Sequence, residues 1–218
     1  MMELLAKIIP LDIAATLSPG ILAIALLLLG NKKNPKTKTL VFLLGSLIIG
    51  IGITILGVVL AQIASPDQKP TLVSAIIDLV AGLAFIIFGI KVLITKEKKV
   101  DKSKTHELSL WKIFLIGVVI TVTNTDADLF NFIAAKETVS APDIDIFWKV
   151  VFLIMNLSFF VLAITLPLFF YLLFPKLAAK PLAKLNILAM KYSRFIMFVL
   201  FAIFGIYFAY RGIMFFIK

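Results

Sequence analysis

Four aspartates stand where the chain is otherwise apolar: Asp12, Asp78, Asp126 and Asp128. A carboxylate at mid-bilayer costs roughly 2.5–3.5 kcal/mol even on lenient insertion scales, so an acid inside a hydrophobic run first suggests a transport path, a proton relay or an ion site. Around Asp126 and Asp128, the residues Thr121, Asn124, Asp128 and Asn131 recur at i, i+3, i+7 and i+10, which is one stripe of an α-helix. Thr123 and Asp126 lie on another flank. A regular helix points Asp126 and Asp128 about 200° apart, so only an unwound backbone would let both hold one ion. Asp12 precedes the stretch Thr16-Leu17-Ser18-Pro19-Gly20. Pro19 lacks an N–H and crowds the turn before it, and Gly20 adds backbone freedom, so a kink or unwinding is expected near Ser18. Carbonyls freed by such a break are tolerated in lipid only under protein or beside a wet cavity. Asp12, Thr16, Ser18, Pro19, Thr121, Asn124, Asp126, Asp128 and Asn131 are therefore the candidate pathway.

Blander readings stand beside this one. Pro19 could mark a packed kink, and Asn124 and Asn131 could be glue between helices. Asp126 and Asp128 could sit in wet headgroups. Asp78 lies shallower and is read as having no role. No cation in the outer half of the membrane is an evident salt-bridge partner for these acids, so some of the acids are expected to hold protons.

The elements that must position these residues follow from composition. Of 218 residues, 61% are hydrophobic and 16% charged, against about 45–50% and 25% in a soluble domain. That excludes a water-soluble enzyme and a disordered chain. Without Cys there is no disulfide, thiolate metal site or dithiol relay, and the lone His106 lies in a charged stretch. No cofactor is expected, and no metal is assigned. A bilayer core needs about 20 apolar residues per helix. Six runs meet that length, at roughly 4–29, 40–64, 71–95, 111–135, 146–174 and 193–217. They are continuously apolar, as helices require and barrel strands do not. The first is read as a retained span, because no small-residue cleavage site follows its apolar part.

Charge sets the expected orientation. Lys32, Lys33, Lys36 and Lys38 fill loop 30–39; Lys96, Lys98, Lys99, Lys102 and Lys104 fill loop 96–110; Lys176, Lys180, Lys184, Lys191 and Arg194 fill segment 175–194. The other side holds only Lys7, Lys69, Lys136, Lys149, Arg211 and Lys218. The positive-inside rule then places the first, third and fifth loops in the cytoplasm and both termini outside, in a multi-pass protein of the cytoplasmic membrane. The net charge of +10 is a topology signal; no soluble basic domain is present to bind nucleic acid. Segment 176–191, with Pro181 inside it, reads as a broken amphipathic stretch whose Lys176, Lys180 and Lys184 would meet anionic headgroups.

Three spans precede the long basic loop and three follow it, so the halves enter the membrane in opposite senses. The expected fold is all-α: six transmembrane helices as two inverted three-helix repeats, 1–95 and 111–218, joined by the basic loop 96–110. At about 1.5 Å per residue, Asp12 lies roughly 12 Å from the outer face and Asp126 roughly 22 Å from the inner one. Both fall in the outer half, and if the two broken helices touch they share one outward vestibule. Small residues four apart, Ser46 with Gly50 and Gly57 with Ala61, predict close helix packing in the second span.

Several stretches resemble a known family: the Ser18-Pro19-Gly20 break, VFLLGSLIIG at 41–50, AGLAFIIFGIKVLITKEKK at 81–99, LPLFFYLLFPKLAAKPLAKLN at 166–186 and FGIYFAYRGI at 204–213. In that order they look like the GAP or sulfolipid-addressing type of membrane protein within the LysE transporter superfamily. The resemblance implies a six-helix inverted-repeat transporter that helps place glycolipid-like molecules at the cell surface. Where that family usually has an Asn-Pro break in the fourth span, this chain reads Asn124-Thr125-Asp126-Ala127-Asp128. Acid-rich fourth spans look more like the cation-handling branches of the superfamily.

The leading expectation is thus a secondary-type exporter or export helper for a small amphiphilic or lipid-linked molecule, coupled to protons. One alternative is a divalent-cation exporter, since Asp, Asn and Thr oxygens suit hard cations. Another is a non-transporting membrane partner subunit. An intramembrane aspartyl protease would need two acids sharing a proton, but no GxGD-like context surrounds them, so no enzyme is expected. The substrate would be a small molecule or ion, and a homodimer is compatible with all of these readings.

Overall fold

The computed structural model describes residues 1–31, 33–64, 71–94, 108–174 and 179–217, and for residues 179–191, 193 and 194 the backbone alone. Most of the basic loop and Lys176 fall outside the described residues, as do the side chains of Lys180 and Lys184. Among the described residues there are nine helices and no strand. They are α1 (Met2–Thr16), α2 (Pro19–Leu29), α3 (Pro35–Ala64), α4 (Leu72–Ile94), α5 (Leu110–Thr123), α6 (Thr125–Ser140), α7 (Ile146–Phe160), α8 (Leu162–Leu173) and α9 (Ala179–Ile217).

The nine helices give three to six candidate spans. Helices α3, α4 and the Phe195–Ile217 part of α9 are each long and apolar enough to cross a membrane. Three further helix pairs, each a broken span or a re-entrant loop, are bent: α1 with α2 at 51°, α5 with α6 at 72°, and α7 with α8 at 71°. Breaks were expected in the first and fourth spans. The third, at Val161, has neither proline nor glycine at the joint. The surface is what a bilayer demands: Ile55, Ile87 and Ile203 are each more than half exposed, and lipid tails rather than water suit such a face.

The Pro181 reading needs correction. The stretch is not broken there, because α9 runs uninterrupted from Ala179 to Ile217. Pro181 falls in the first turn, where a helix has no partner for the missing N–H in any case.

Close packing follows the small residues. A Cβ on Gly45 would lie 2.4 Å from the Phe114 carbonyl oxygen, and one on Gly117 would lie 2.5 Å from that of Phe42. So α3 and α5 cross backbone to backbone, which only glycine permits. At Gly57 an added Cβ would meet the Phe132 carbonyl on α6 at 2.7 Å. Helix α4 packs along α9, and the rings of Phe85, Phe130, Phe201 and Phe208 join α4, α6 and α9 into the largest apolar core. Helix α1 packs on α6 and α7, and α2 on α8.

Candidate functional site

The three breaks converge. At the first, Ser18 caps α2, its Oγ accepting from the Ile21 N–H, and Pro19 opens the helix, where its lost N–H costs nothing. Asn124 both ends α5 and begins α6. Ser18 Oγ donates to Asn124 Oδ1 at 3.2 Å, tying the first break to the second. Thr16, the last residue of α1, donates from Oγ1 to the carbonyl of Asp12 at 3.0 Å and to that of Phe159 at 2.9 Å. Phe159 lies in the last turn of α7, so the same segment also reaches the third break.

Around this junction lie buried polar atoms without a hydrogen-bond partner: Thr121 Oγ1, Asn124 Nδ2, Asp128 Oδ1, Asp12 Oδ2 and Asn156 Oδ1. Buried polar groups are normally satisfied, and each exception calls for a reason such as a ligand or a water. Asp12 is fully buried on α1 and accepts from Asn156 Nδ2 on α7 at 2.7 Å. Asn156 was not among the sequence candidates. It belongs to an unremarkable apolar run, and only the bend that follows it signals its neighbourhood.

The remaining candidates separate. Asp126 and Asp128 both occupy the first turn of α6, where the helix dipole favours negative charge. Asp128 lines a hollow of about 580 Å³ with Thr125, Gly52, Ile53, Leu129 and Phe132. Phe88 of α4 forms part of its wall as well, so the hollow is apolar apart from the polar groups of α6. Asn131 points elsewhere. Its Nδ2 donates to the Gly50 carbonyl at 3.2 Å and to Thr54 Oγ1 at 3.3 Å, joining α6 to α3.

Asp78 is the main departure from expectation. It was read as a shallow residue without a role, and the acids as lacking cationic partners. Instead it is buried at the centre of a four-residue ionic cluster. Lys136 Nζ donates to Asp78 Oδ1 at 2.5 Å. Arg211 donates from Nε to Asp78 Oδ2 at 2.6 Å, and from Nη1 and Nη2 to Glu137 Oε2 and Oε1 at 2.8 and 2.7 Å. The cluster links α4, α6 and α9 and is neutral as a whole, which is how burial of charge is tolerated. It forms the floor of a cavity of about 520 Å³, with Lys7, Ser74, Ser140 and Phe215 among its walls. The cavity at this end of the bundle is thus built around Asp78; neither Asp12 nor Asp126 lines it.

Three long apolar helices and three bent helix pairs, joined at their breaks by side-chain hydrogen bonds, define a helical membrane protein with a polar junction inside the bundle. Residues 8–214 match the family described as Sap, sulfolipid-1-addressing protein. With nearly the whole chain matched, the protein belongs to that family. No curated protein and no solved structure matches the chain.

Proposed function

We propose that this protein is a secondary-type transporter, or an export helper, that moves a small amphiphilic or lipid-linked molecule across the cytoplasmic membrane, with protons as the coupling ion. The observation that carries this reading is the meeting of the three breaks through Ser18–Asn124 and Thr16–Phe159. Interrupted helices that touch inside a bundle expose polar backbone where lipid cannot reach, which is how many transporters build a midplane site. The hollow beside Asp128 offers an apolar wall with a carboxylate at its edge, a shape suited to a molecule with a fatty part and a polar part. A role in sulfolipid addressing, the description the family carries, is compatible with such a cargo.

The packing supports two inverted repeats as the working architecture, of the kind found in the LysE superfamily. Exchanging the first span with the fourth, the second with the fifth and the third with the sixth maps several of the helix contacts onto one another. Helix α3 on α5 and α6 corresponds to α7 and α8 on α1 and α2, and α4 on α9 maps onto itself, while the packing of α1 on α6 has no comparable counterpart between α5 and α2. Rocking of one half against the other would then expose the junction alternately. In this reading the termini face outward, and Lys176, Lys180 and Lys184 contact anionic lipid at the cytoplasmic face.

The test is reconstitution of the purified protein into vesicles carrying a fluorescent sulfated or phosphorylated glycolipid. Movement between leaflets should require the protein and a proton gradient, and Asp126→Asn should abolish it. Normal movement by that variant would remove Asp126 from the pathway. Manganese uptake without lipid movement would favour the cation-exporter alternative, and neither activity would favour the partner-subunit alternative.

A further inference from the structure

The pair Asp12–Asn156 carries a sharper reading. Asn156 Nδ2 donates to Asp12 Oδ1 at 2.7 Å, and both side chains are fully buried. One atom on each remains without a partner, Asp12 Oδ2 and Asn156 Oδ1. Both orphans are acceptors, so the ionised acid and the amide cannot satisfy each other there. A single hydrogen does satisfy them. A proton on Asp12 Oδ2 would turn that orphan into a donor for Asn156 Oδ1 while Oδ1 keeps its bond from Nδ2, an acid–amide ring with two hydrogen bonds. We infer that Asp12 and Asn156 together form a proton-binding site, holding one proton on Asp12 in this conformation and releasing it when α1 and α7 separate.

The surroundings fit a proton. The charged groups on the helices around α1 are accounted for elsewhere or stand apart. Lys136, Glu137, Asp78 and Arg211 are bound within the ionic cluster. Lys149 of α7 donates to the Val139 carbonyl, and Lys7 pairs with Glu3. Asp126 and Asp128, at the start of α6, are acids and offer no positive charge. Among the described residues, no cation pairs with Asp12. A metal ion would need several more oxygens, whereas a proton needs no added volume. The position also gives the proton a way to act. Thr16 is one turn beyond Asp12 and donates to the Asp12 carbonyl as well as to Phe159 at the α7 break. The Thr16–Phe159 bond holds α1 and α7 together one turn from the ring, so breaking it at the joint would free the two halves to part. Neither Asp12 nor Asn156 lines the cavity floored by the ionic cluster, so the site is separate from it.

The use of this proton in coupling rests on the transport role proposed above; its presence does not. Difference infrared spectroscopy of the full protein in vesicles at neutral pH tests it directly. The native protein should show a protonated-carboxyl stretch that disappears in Asp12→Asn. That variant places an amide N–H where the acid O–H stood, so it should melt within a degree or two of the native protein. Asn156→Leu should keep the band but move it to higher frequency, as the acid loses its partner. This second variant keeps the test open should the first fail to fold. A native spectrum without the band, a band unchanged in Asp12→Asn, or a band removed by added sodium would each overturn the assignment. Loss of the band in Asp12→Asn together with glycolipid movement that still follows the proton gradient would leave the site standing and remove its coupling role. Active, Asp126-dependent movement with no Asp12 band would do the reverse.

Discussion

At the scale of single residues, the ionic cluster is the part least visible in the sequence. Lys136 and Arg211 read as topology signals and Asp78 as a stray shallow acid, because the partners are 58 to 133 residues apart. A usable sign existed: Asp78 and Arg211 lie about two turns inside the ends of their runs on one side, and Lys136-Glu137 lie just past the end of theirs on that same side. Removing one member of a buried ion pair leaves an uncompensated charge, at a cost of about 3–5 kcal/mol. Arg211→Met should therefore lower thermal stability in detergent sharply, and Arg211→Lys should rescue it only in part, since a single ammonium cannot reproduce the paired fork. Asp78→Asn and Lys136→Met combined should cost less than the sum of the two singles. Asn131 makes a milder case. Its bonds to Gly50 and Thr54 predict a loss of roughly 0.6–1.7 kcal/mol for Asn131→Leu, measured by the same unfolding assay.

At the scale of elements, the joints differ in how they announce themselves. The first carries Pro19 beside a serine cap, and the second carries Asn124 before two acids that favour a helix start, so both could be read from local chemistry. The third, at Val161, is made by tertiary contact. Phe160 is buried against Gly50 of α3 and Thr16 binds the carbonyl of Phe159, and neither partner is local in sequence. The close crossing of α3 with α5 gives a test at this scale. Gly45→Val or Gly117→Val pushes a side chain into backbone, which cannot rotate away as a flexible side chain would, and should cost about 1–3 kcal/mol or more. Gly52→Ala is the control. An added Cβ there meets nothing within 4 Å, and it should leave the melting temperature unchanged.

At the scale of the whole molecule, the apolar helices of bilayer length were legible because such runs have few other uses. The convergence of the breaks was not, since it depends on how α1, α6 and α7 pack. The chain has no cysteine, so it offers a clean background for fixing that junction. Ser18→Cys with Asn124→Cys should form a disulfide under mild oxidation, as the native side chains are within 3.2 Å. If the halves must rock, glycolipid movement should stop in the oxidised pair and return on reduction. A crosslinked protein that still moves lipid would place the motion elsewhere.

Helix α9 has 39 residues, about 58 Å at 1.5 Å per residue, nearly twice the roughly 30 Å of a hydrocarbon core. Its Phe195–Ile217 part suffices to cross, which leaves about four turns over at the end remote from Arg211. Those turns form a mast stepped on the same rod that holds the ionic cluster. A ten-degree lean of the rod would swing the masthead by about 4 Å relative to the top of the span. Anything that displaces the free end of this rod thereby gains leverage over the salt bridges that Arg211 makes near its other end.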